Sequence, residues 1–292
     1  MNDKQNFSYS KLATYLECPK QYELQVLRNL APFKDNIYTT FGSSVHKAIQ
    51  MAIEKKYNIE ESLFIFEKEF KEHLKQMDPH EAQLIFISEY AKKAKQILEY
   101  WYEEFGNKIN SGEIEVLGVE KYFSYEILPN IFYNGIIDFL IKYRNKKKET
   151  IKVPTIKLLK SGKEKTVIKT MMTEKVETLY KIIDWKTGSV KPKENLQLLS
   201  YTVPMLFLNN LIINNIEYVY LKYKRKINFL IDDKKIIETK NKIISIINNI
   251  IEDTKNNTFK MCIDDKKCRF CNVKKFCDID FQKKLDLNKS KE

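Results

Sequence analysis

Residues 180–189 read Tyr-Lys-Ile-Ile-Asp-Trp-Lys-Thr-Gly-Ser (YKIIDWKTGS). A β-leaning apolar run that closes on a turn glycine reads as a buried strand. Alternate residues of a strand share a face, so Asp184 and Lys186 point the same way. Charges at the end of a buried strand need partners, and this carboxylate and this ammonium can serve each other. Chemically, such a pair suits hydrolysis: the carboxylate holds a divalent metal and the lysine orients or polarises the attacking water. On ten residues alone, a structural ion pair beside a turn is the stronger reading, so the rest of the chain has to decide.

Working outward, Phe132 to Tyr143 (FYNGIIDFLIKY) reads as a second strand, with Asp138 inside an apolar run where an unpaired charge is costly. On neighbouring strands Asp138 and Asp184 would repel, and a shared divalent cation would remove that repulsion. Short β-type alternation also covers Ile114–Glu120 and Lys121–Ile127. Glu120 is a possible third acid there, but reads better as a solvent-facing strand-end glutamate. Residues 144–181 hold 12 basic and 4 acidic residues, a net +8 of the chain's formal +12. A Ser161-Gly162-Lys163 turn within them suggests a protruding β-hairpin insertion, either a solvated surface feature or a nucleic-acid-binding finger.

The N-terminal part reads as helical. Ser10 is the expected N-cap of a helix carrying Leu12, Tyr15 and Leu16 on one face, and Cys18-Pro19 breaks it before a second short helix through Tyr22, Val26 and Leu27. In Phe41–Met51, Ser43 or Ser44 is expected to cap a helix with Val45, Ile49 and Ile53 on its apolar side. His46 falls in its first turn, and Gly42 permits close approach of a backbone or a phosphate. Residues 59–112 read as a helical insertion, interrupted at Asp78-Pro79, with Leu84, Ile87, Ala91, Ala94, Leu98, Trp101 and Phe105 in one stripe. After the central strand, Glu194 to Leu208 is helical, with Gln197 and Tyr201 sharing a face. Ile216–Leu221 and Phe229–Ile231 read as strands, and Lys234–Ile251 as a helix covering the sheet.

In the tail, residues 260–280, Cys268, Cys271 and Cys277 place three thiols within ten residues of a chain that has only five cysteines. That clustering points to a metal, with Cys18 or Cys262 as the fourth ligand. Zinc and a [4Fe–4S] cluster both accept four thiolates, and the spacing leaves the choice open.

The bulk composition fits either a polyanion-binding protein or a lysine-rich one with solvated surfaces, and excludes several alternatives. The chain has 292 residues, 43% hydrophobic, enough for a sizeable core, and only 7 Gly and 7 Pro, which argues against a loop-dominated protein. The positive charge favours a polyanionic partner. The polar start MNDKQNFSYS reads as no signal peptide, and no run reaches the length of a membrane span, so the expectation is a cytoplasmic protein with reduced thiols and no membrane partner. No Gly-x4-Gly-Lys-Ser/Thr loop is present, so a motor or kinase activity has no basis.

Together, Gly42-x3-His46, Gly135-Ile-Ile-Asp138, Asp184-Trp-Lys186, Gln197-x3-Tyr201, Cys18-Pro19 and Cys268-x2-Cys271-x5-Cys277 resemble the RecB-like branch of the PD-(D/E)XK nucleases. The likeness is to its iron–sulfur subset, which includes the AddB nuclease domain and the CRISPR-associated adaptation nucleases. The resemblance implies one α/β nuclease domain over residues 1–292, with a restriction-endonuclease-like core: a central mixed sheet flanked by helices, a helical subdomain and a cysteine-cluster tail. It implies metal ligation of Mg²⁺ or Mn²⁺ by His46, Asp138, Asp184 and the Trp185 carbonyl. Lys186 would be the catalytic lysine, with Gln197 and Tyr201 lining the site. Cys18, Cys268, Cys271 and Cys277 would hold a [4Fe–4S] cluster, zinc being the alternative, with Cys262 left over. The implied activity is hydrolysis of DNA, single-stranded or with free ends, by an exonuclease of recombination, repair, or CRISPR or phage DNA processing. Two other readings are a silent nuclease-fold module holding DNA ends for a helicase or integrase partner, and a zinc-stabilised nucleic-acid-binding protein.

Overall fold

The computed structural model describes residues 4–31, 35–77, 85–158, 164–190, 195–262 and 264–278. Strand β1 (Gln5–Ser8) leads into α1 (Tyr9–Glu17), which is capped by the Ser8 side chain accepting from the Lys11 N–H. Ser10, the expected cap, lies inside the helix, because the chain turns helical directly after the strand. Leu12 and Tyr15 are buried, whereas Leu16 is 52% exposed and leaves the apolar face. Cys18 ends α1, and Pro19 opens α2 (Pro19–Tyr22), which runs on as a π-turn, Glu23–Leu27. Proline fits a first helical position because its missing N–H would have no partner there.

Helix α3 (Ile37–Lys55) starts earlier than expected. Asn36 caps it in a reciprocal box with Thr39, and Ser43 and Ser44 lie within it, both hydroxyls donating to the Thr40 carbonyl. It is followed by α4 (Ile59–Leu74), α5 (Ile87–Trp101), a π-turn at Tyr102–Gly106 and α6 (Asn107–Asn110). The expected break at Asp78-Pro79, and Leu84, lie outside the described residues. Phe41, Phe66 and Phe70 form the aromatic centre of this layer, with ring centroids 5.3–6.4 Å apart.

The rest of the sheet follows. β2 (Ile114–Leu128) is one strand where the sequence suggested two; β3 (Ile131–Leu158) and β4 (Glu164–Lys186) follow it. Then come α7 (Leu196–Asn209), β5 (Asn215–Tyr220), a 3₁₀ turn Leu221–Tyr223, β6 (Arg225–Leu230), α8 (Asp233–Asn256) and α9 (Asp265–Arg269). Among the described residues the mixed sheet has six strands, in the order β1-β3-β4-β5-β6, with β2 on the other edge of β3. β4 and β5 are parallel, with Asp184 opposite Tyr218. Neighbouring Ile182 and Ile183 enter different cores, as the two-residue strand period requires. The core on the Ile182 face is completed by α1, α7 and α8, the other by α3, α4 and α5. In α8, Ile236, Ile243, Ile246, Ile247 and Ile250 are buried, each contributing about 1.5–3 kcal/mol.

Beyond Tyr143, β3 leaves β2, and before Lys181 β4 has not yet met β5. Between these limits the two strands pair only with each other among the described residues, Arg144 opposite Thr178 and Leu158 opposite Glu164. This two-stranded arm extends about 50 Å if straight. Its suggested Ser161-Gly162-Lys163 turn lies outside the described residues. No described helix is long and apolar enough to cross a membrane.

Candidate active site and cysteine centre

Four elements converge on one group of side chains. α3 supplies His46, β2 supplies Glu120, β3 supplies Asp138, and the end of β4 supplies Asp184, Trp185 and Lys186. Ligand atoms of His46, Glu120 and Asp138 all lie within 4.8 Å of one another, a spacing that suits one metal ion. His46 Nδ1 lies 3.1 Å from Glu120 Oε1, and its Nε2 lies 3.2 Å from the Trp185 carbonyl oxygen. Asp138 Oδ2 accepts the Trp185 N–H at 2.9 Å and lies 3.7 Å from His46 Nδ1. Lys186 Nζ pairs with Asp184 Oδ2 at 2.5 Å, and Asp184 is only 3% exposed. Trp185 anchors this strand end from the opposite face, its ring 4.9 Å from Phe105 and 5.2 Å from Phe139.

Glu120 corrects the sequence reading, which sent it to solvent. The β2–β3 ladder pairs Val119 with Phe139 and Lys121 with Ile137, and skips the step where Glu120 faces Asp138. Glu120 takes a left-handed backbone, φ 45°, at this step. A non-glycine residue in that conformation costs about 1 kcal/mol or more, and such strain tends to collect at functional positions. No local motif announces it, because the periodicity of β2 alone gives position 120 no distinct face.

The electrostatics describe a site crowded with negative charge. Burial pushes the Asp138 carboxyl up, and Asp184 and Glu120 add to this, while His46 and Lys186 oppose it; the outcome is a pKa of about 7. For His46 burial acts downward, but Asp138, Glu120 and Asp184 outweigh it and carry the imidazole up to about 9. Burial also disfavours the charged Lys186, yet its pairing with Asp184 and the nearness of Asp138 leave its pKa raised. A divalent cation relieves this kind of carboxylate crowding. The donor set of one imidazole, carboxylates and a backbone carbonyl suits Mg²⁺ or Mn²⁺.

α7 closes the site. Gln197 Nε2 donates to the Tyr201 hydroxyl at 3.2 Å, and burial together with nearby Asp184 and Asp138 pushes that phenol up to about 12. Tyr201 packs edge-on against Phe123, ring centroids 5.5 Å apart. Gly135 permits this packing: a Cβ there would meet Phe123 Cζ at 2.6 Å and Tyr201 Cε1 at 3.1 Å. Gly42 likewise lets Thr187 approach, its Oγ1 3.1 Å from where a Cβ would stand.

The profile of the PD-(D/E)XK nuclease superfamily matches residues 6–169. The chain belongs to that superfamily. Within the matched span lie His46, Glu120 and Asp138, whereas Asp184, Trp185 and Lys186 lie outside it. No curated protein matches the chain.

The chain's two ends meet at the cysteines. The Cys262 N–H donates to Cys18 Sγ at 3.4 Å, and the Cys268 thiol donates to the Cys262 carbonyl at 3.4 Å. The Lys20 N–H donates to the Lys260 carbonyl, so the start of α2 is tied to the tail by backbone as well. Burial raises the Cys271 thiol, helped by Cys18 and Cys268; burial also raises Cys277, where Lys20 opposes and Cys18 and Cys271 add. Cys18 thus lies beside the tail segment, but among the described residues only His46, Glu120 and Asp138, and no set of thiols, are gathered at the spacing of one metal ion.

Proposed function

We propose that this protein is a metal-dependent DNA nuclease, an exonuclease acting on single strands or free ends in recombination, repair, or CRISPR or phage DNA processing. The observation that carries the reading is the convergence of His46, Glu120 and Asp138 within 4.8 Å, beside an Asp184–Lys186 pair, in a PD-(D/E)XK nuclease. His46, Glu120, Asp138, Asp184 and the Trp185 carbonyl are the groups that would hold Mg²⁺ or Mn²⁺. Bound there, the cation supplies Lewis acidity at the scissile phosphate.

The chain's own residues do the rest. Lys186 pairs with Asp184 at 2.5 Å, and from there it would orient the water that attacks phosphorus and stabilise charge on the phosphoryl oxygens. Tyr201, held by Gln197, keeps a neutral hydroxyl beside the carboxylates and is placed to donate to a phosphate oxygen. The β3–β4 arm binds the DNA backbone outside the site: an isolated two-stranded ribbon is marginal alone, and this one is strongly basic with Met171 and Met172 exposed. A silent end-binding module would need neither the acids nor Lys186. Cys18, Cys268, Cys271 and Cys277 would hold a structural [4Fe–4S] cluster, which would tie α2 to the tail.

The test is cleavage of end-labelled single- and double-stranded DNA with Mg²⁺, Mn²⁺ or chelator. Metal-dependent, chelator-sensitive release of products supports the reading. An intact label under every condition would overturn it.

A further inference from the structure

About two helical turns along α3 from His46, a cavity of about 480 Å³ opens between α3, α5 and the 3₁₀ turn Leu221–Tyr223. Thr187 and Gly188, the residues following Lys186, form part of its wall. Helix α3 links cavity and site. Tyr38 lines the cavity, Gly42 contacts Thr187 one turn on, and His46 joins the metal group one turn further. Residues four apart share a helical face, and the eight-residue step from Tyr38 to His46 spans about 12 Å. The cavity and the reacting centre thus lie along one line.

Its chemistry is aromatic and cationic. Phe41 and Tyr90 form one wall, ring centroids 5.7 Å apart, and Tyr38 stands 80% exposed at the mouth. Lys93 Nζ lies 4.6 Å from the Tyr90 ring centre. Among the described residues lining the cavity, Lys93, Lys222 and Lys224 face a single carboxylate, Glu99. The exposed Tyr38 ring beside ammonium groups suits an unpaired nucleobase with its phosphate, since every base has a π-face and the contact needs no particular sequence.

We propose that this cavity is a nucleobase subsite: it takes an unpaired base of the bound strand, about two helical turns from the reacting centre, against the exposed ring of Tyr38, with the adjoining phosphate on Lys93 and Lys222. The alignment with the carboxylates rests on the nuclease reading; the binding does not. A base inside a duplex is not free to enter, so the subsite selects single strands and frayed ends.

The experiment uses the full chain and short single-stranded oligodeoxynucleotides carrying 2-aminopurine at successive positions, titrated in chelator and followed by fluorescence, with cleavage measured separately in Mn²⁺. Stacking is expected to quench the probe at one position. Tyr38→Ala, a change at an exposed residue that leaves the core intact, should remove that quench and weaken binding about tenfold. Lys222→Gln should lower the salt slope by about 0.7, one single-strand phosphate contact. If the wild type cleaves single strands while Tyr38→Ala matches it in affinity and quench, the subsite is wrong and the nuclease reading stands. Tyr38-dependent quenching without cleavage would keep the subsite and sink the nuclease. Absence of any single-strand binding overturns the subsite outright.

Discussion

Replacing Asp138 with asparagine should stabilise the metal-free protein at alkaline pH while removing its response to divalent metal. The folded protein raises this carboxyl from 3.8 to about 7, because burial and the neighbouring carboxylates oppose its charge. A raised folded-state pKa contributes stability that is fully present below the unfolded value near 4 and is lost as pH rises through 7. Each unit corresponds to about 1.4 kcal/mol, so at pH 8 the full loss is about 4 kcal/mol. Asparagine keeps the volume and an oxygen for the Trp185 N–H, and removes the charge. His46 loses a partner that helps hold its imidazole charged, which returns part of the gain. The expected net is about 1–2 kcal/mol in favour of Asp138→Asn at pH 8 in chelator, or about 2–4 °C in Tm. The gap should narrow toward pH 5, where the folded wild type carries a proton on this group. Metal at a hundredfold excess over its Kd should raise the wild type by about 2.7 kcal/mol and the variant by much less. Thermal melts at pH 5 and 8, with chelator and with Mn²⁺, read all four conditions. A variant less stable than wild type at pH 8 in chelator, or one equally stabilised by metal, would refute the reasoning.

Three further outcomes are expected. Asp184→Ala or Lys186→Ala should lower cleavage by at least about a hundredfold with DNA binding largely kept, and unchanged metal-dependent cleavage by either folded variant would sink the assignment. Deleting residues 145–177 should weaken DNA binding and flatten its salt dependence by about 0.7–0.9 per lost phosphate contact, whereas an unchanged slope would make the arm a solvated surface feature. Anaerobic purification should give a coloured protein whose visible spectrum and iron analysis show a [4Fe–4S] cluster; Cys18→Ser should behave like loss of a tail cysteine, and Cys262→Ser should be tolerated, while a colourless protein with one stoichiometric zinc would refute the cluster.

What the sequence determined by itself was everything carried by a short period. Two-residue alternation placed Asp184 and Lys186 on one face, and they pair at 2.5 Å. The i, i+4 step placed Gln197 beside Tyr201, and they hydrogen bond. The α/β architecture, the excess of charge in residues 144–181 and the crowding of cysteines in the tail were equally legible, since composition and spacing are properties of the chain before it folds. Caps were less so: a serine stood near each predicted helix start, but Ser8 and Asn36 took those roles, Ser8 because α1 follows β1 directly and Asn36 through its reciprocal box with Thr39.

Only the tertiary structure decided which faces meet. Glu120 enters the site through a skipped ladder step and a left-handed backbone, both set by pairing with β3 rather than by any local preference. Cys18 reaches the tail, and Tyr38 reaches the wall beside Thr187, across intervals that no periodicity spans. The physical reason is common to all three. A helix or strand specifies the direction of a side chain relative to its own axis, whereas its partner is chosen by how whole elements bury their apolar faces against one another.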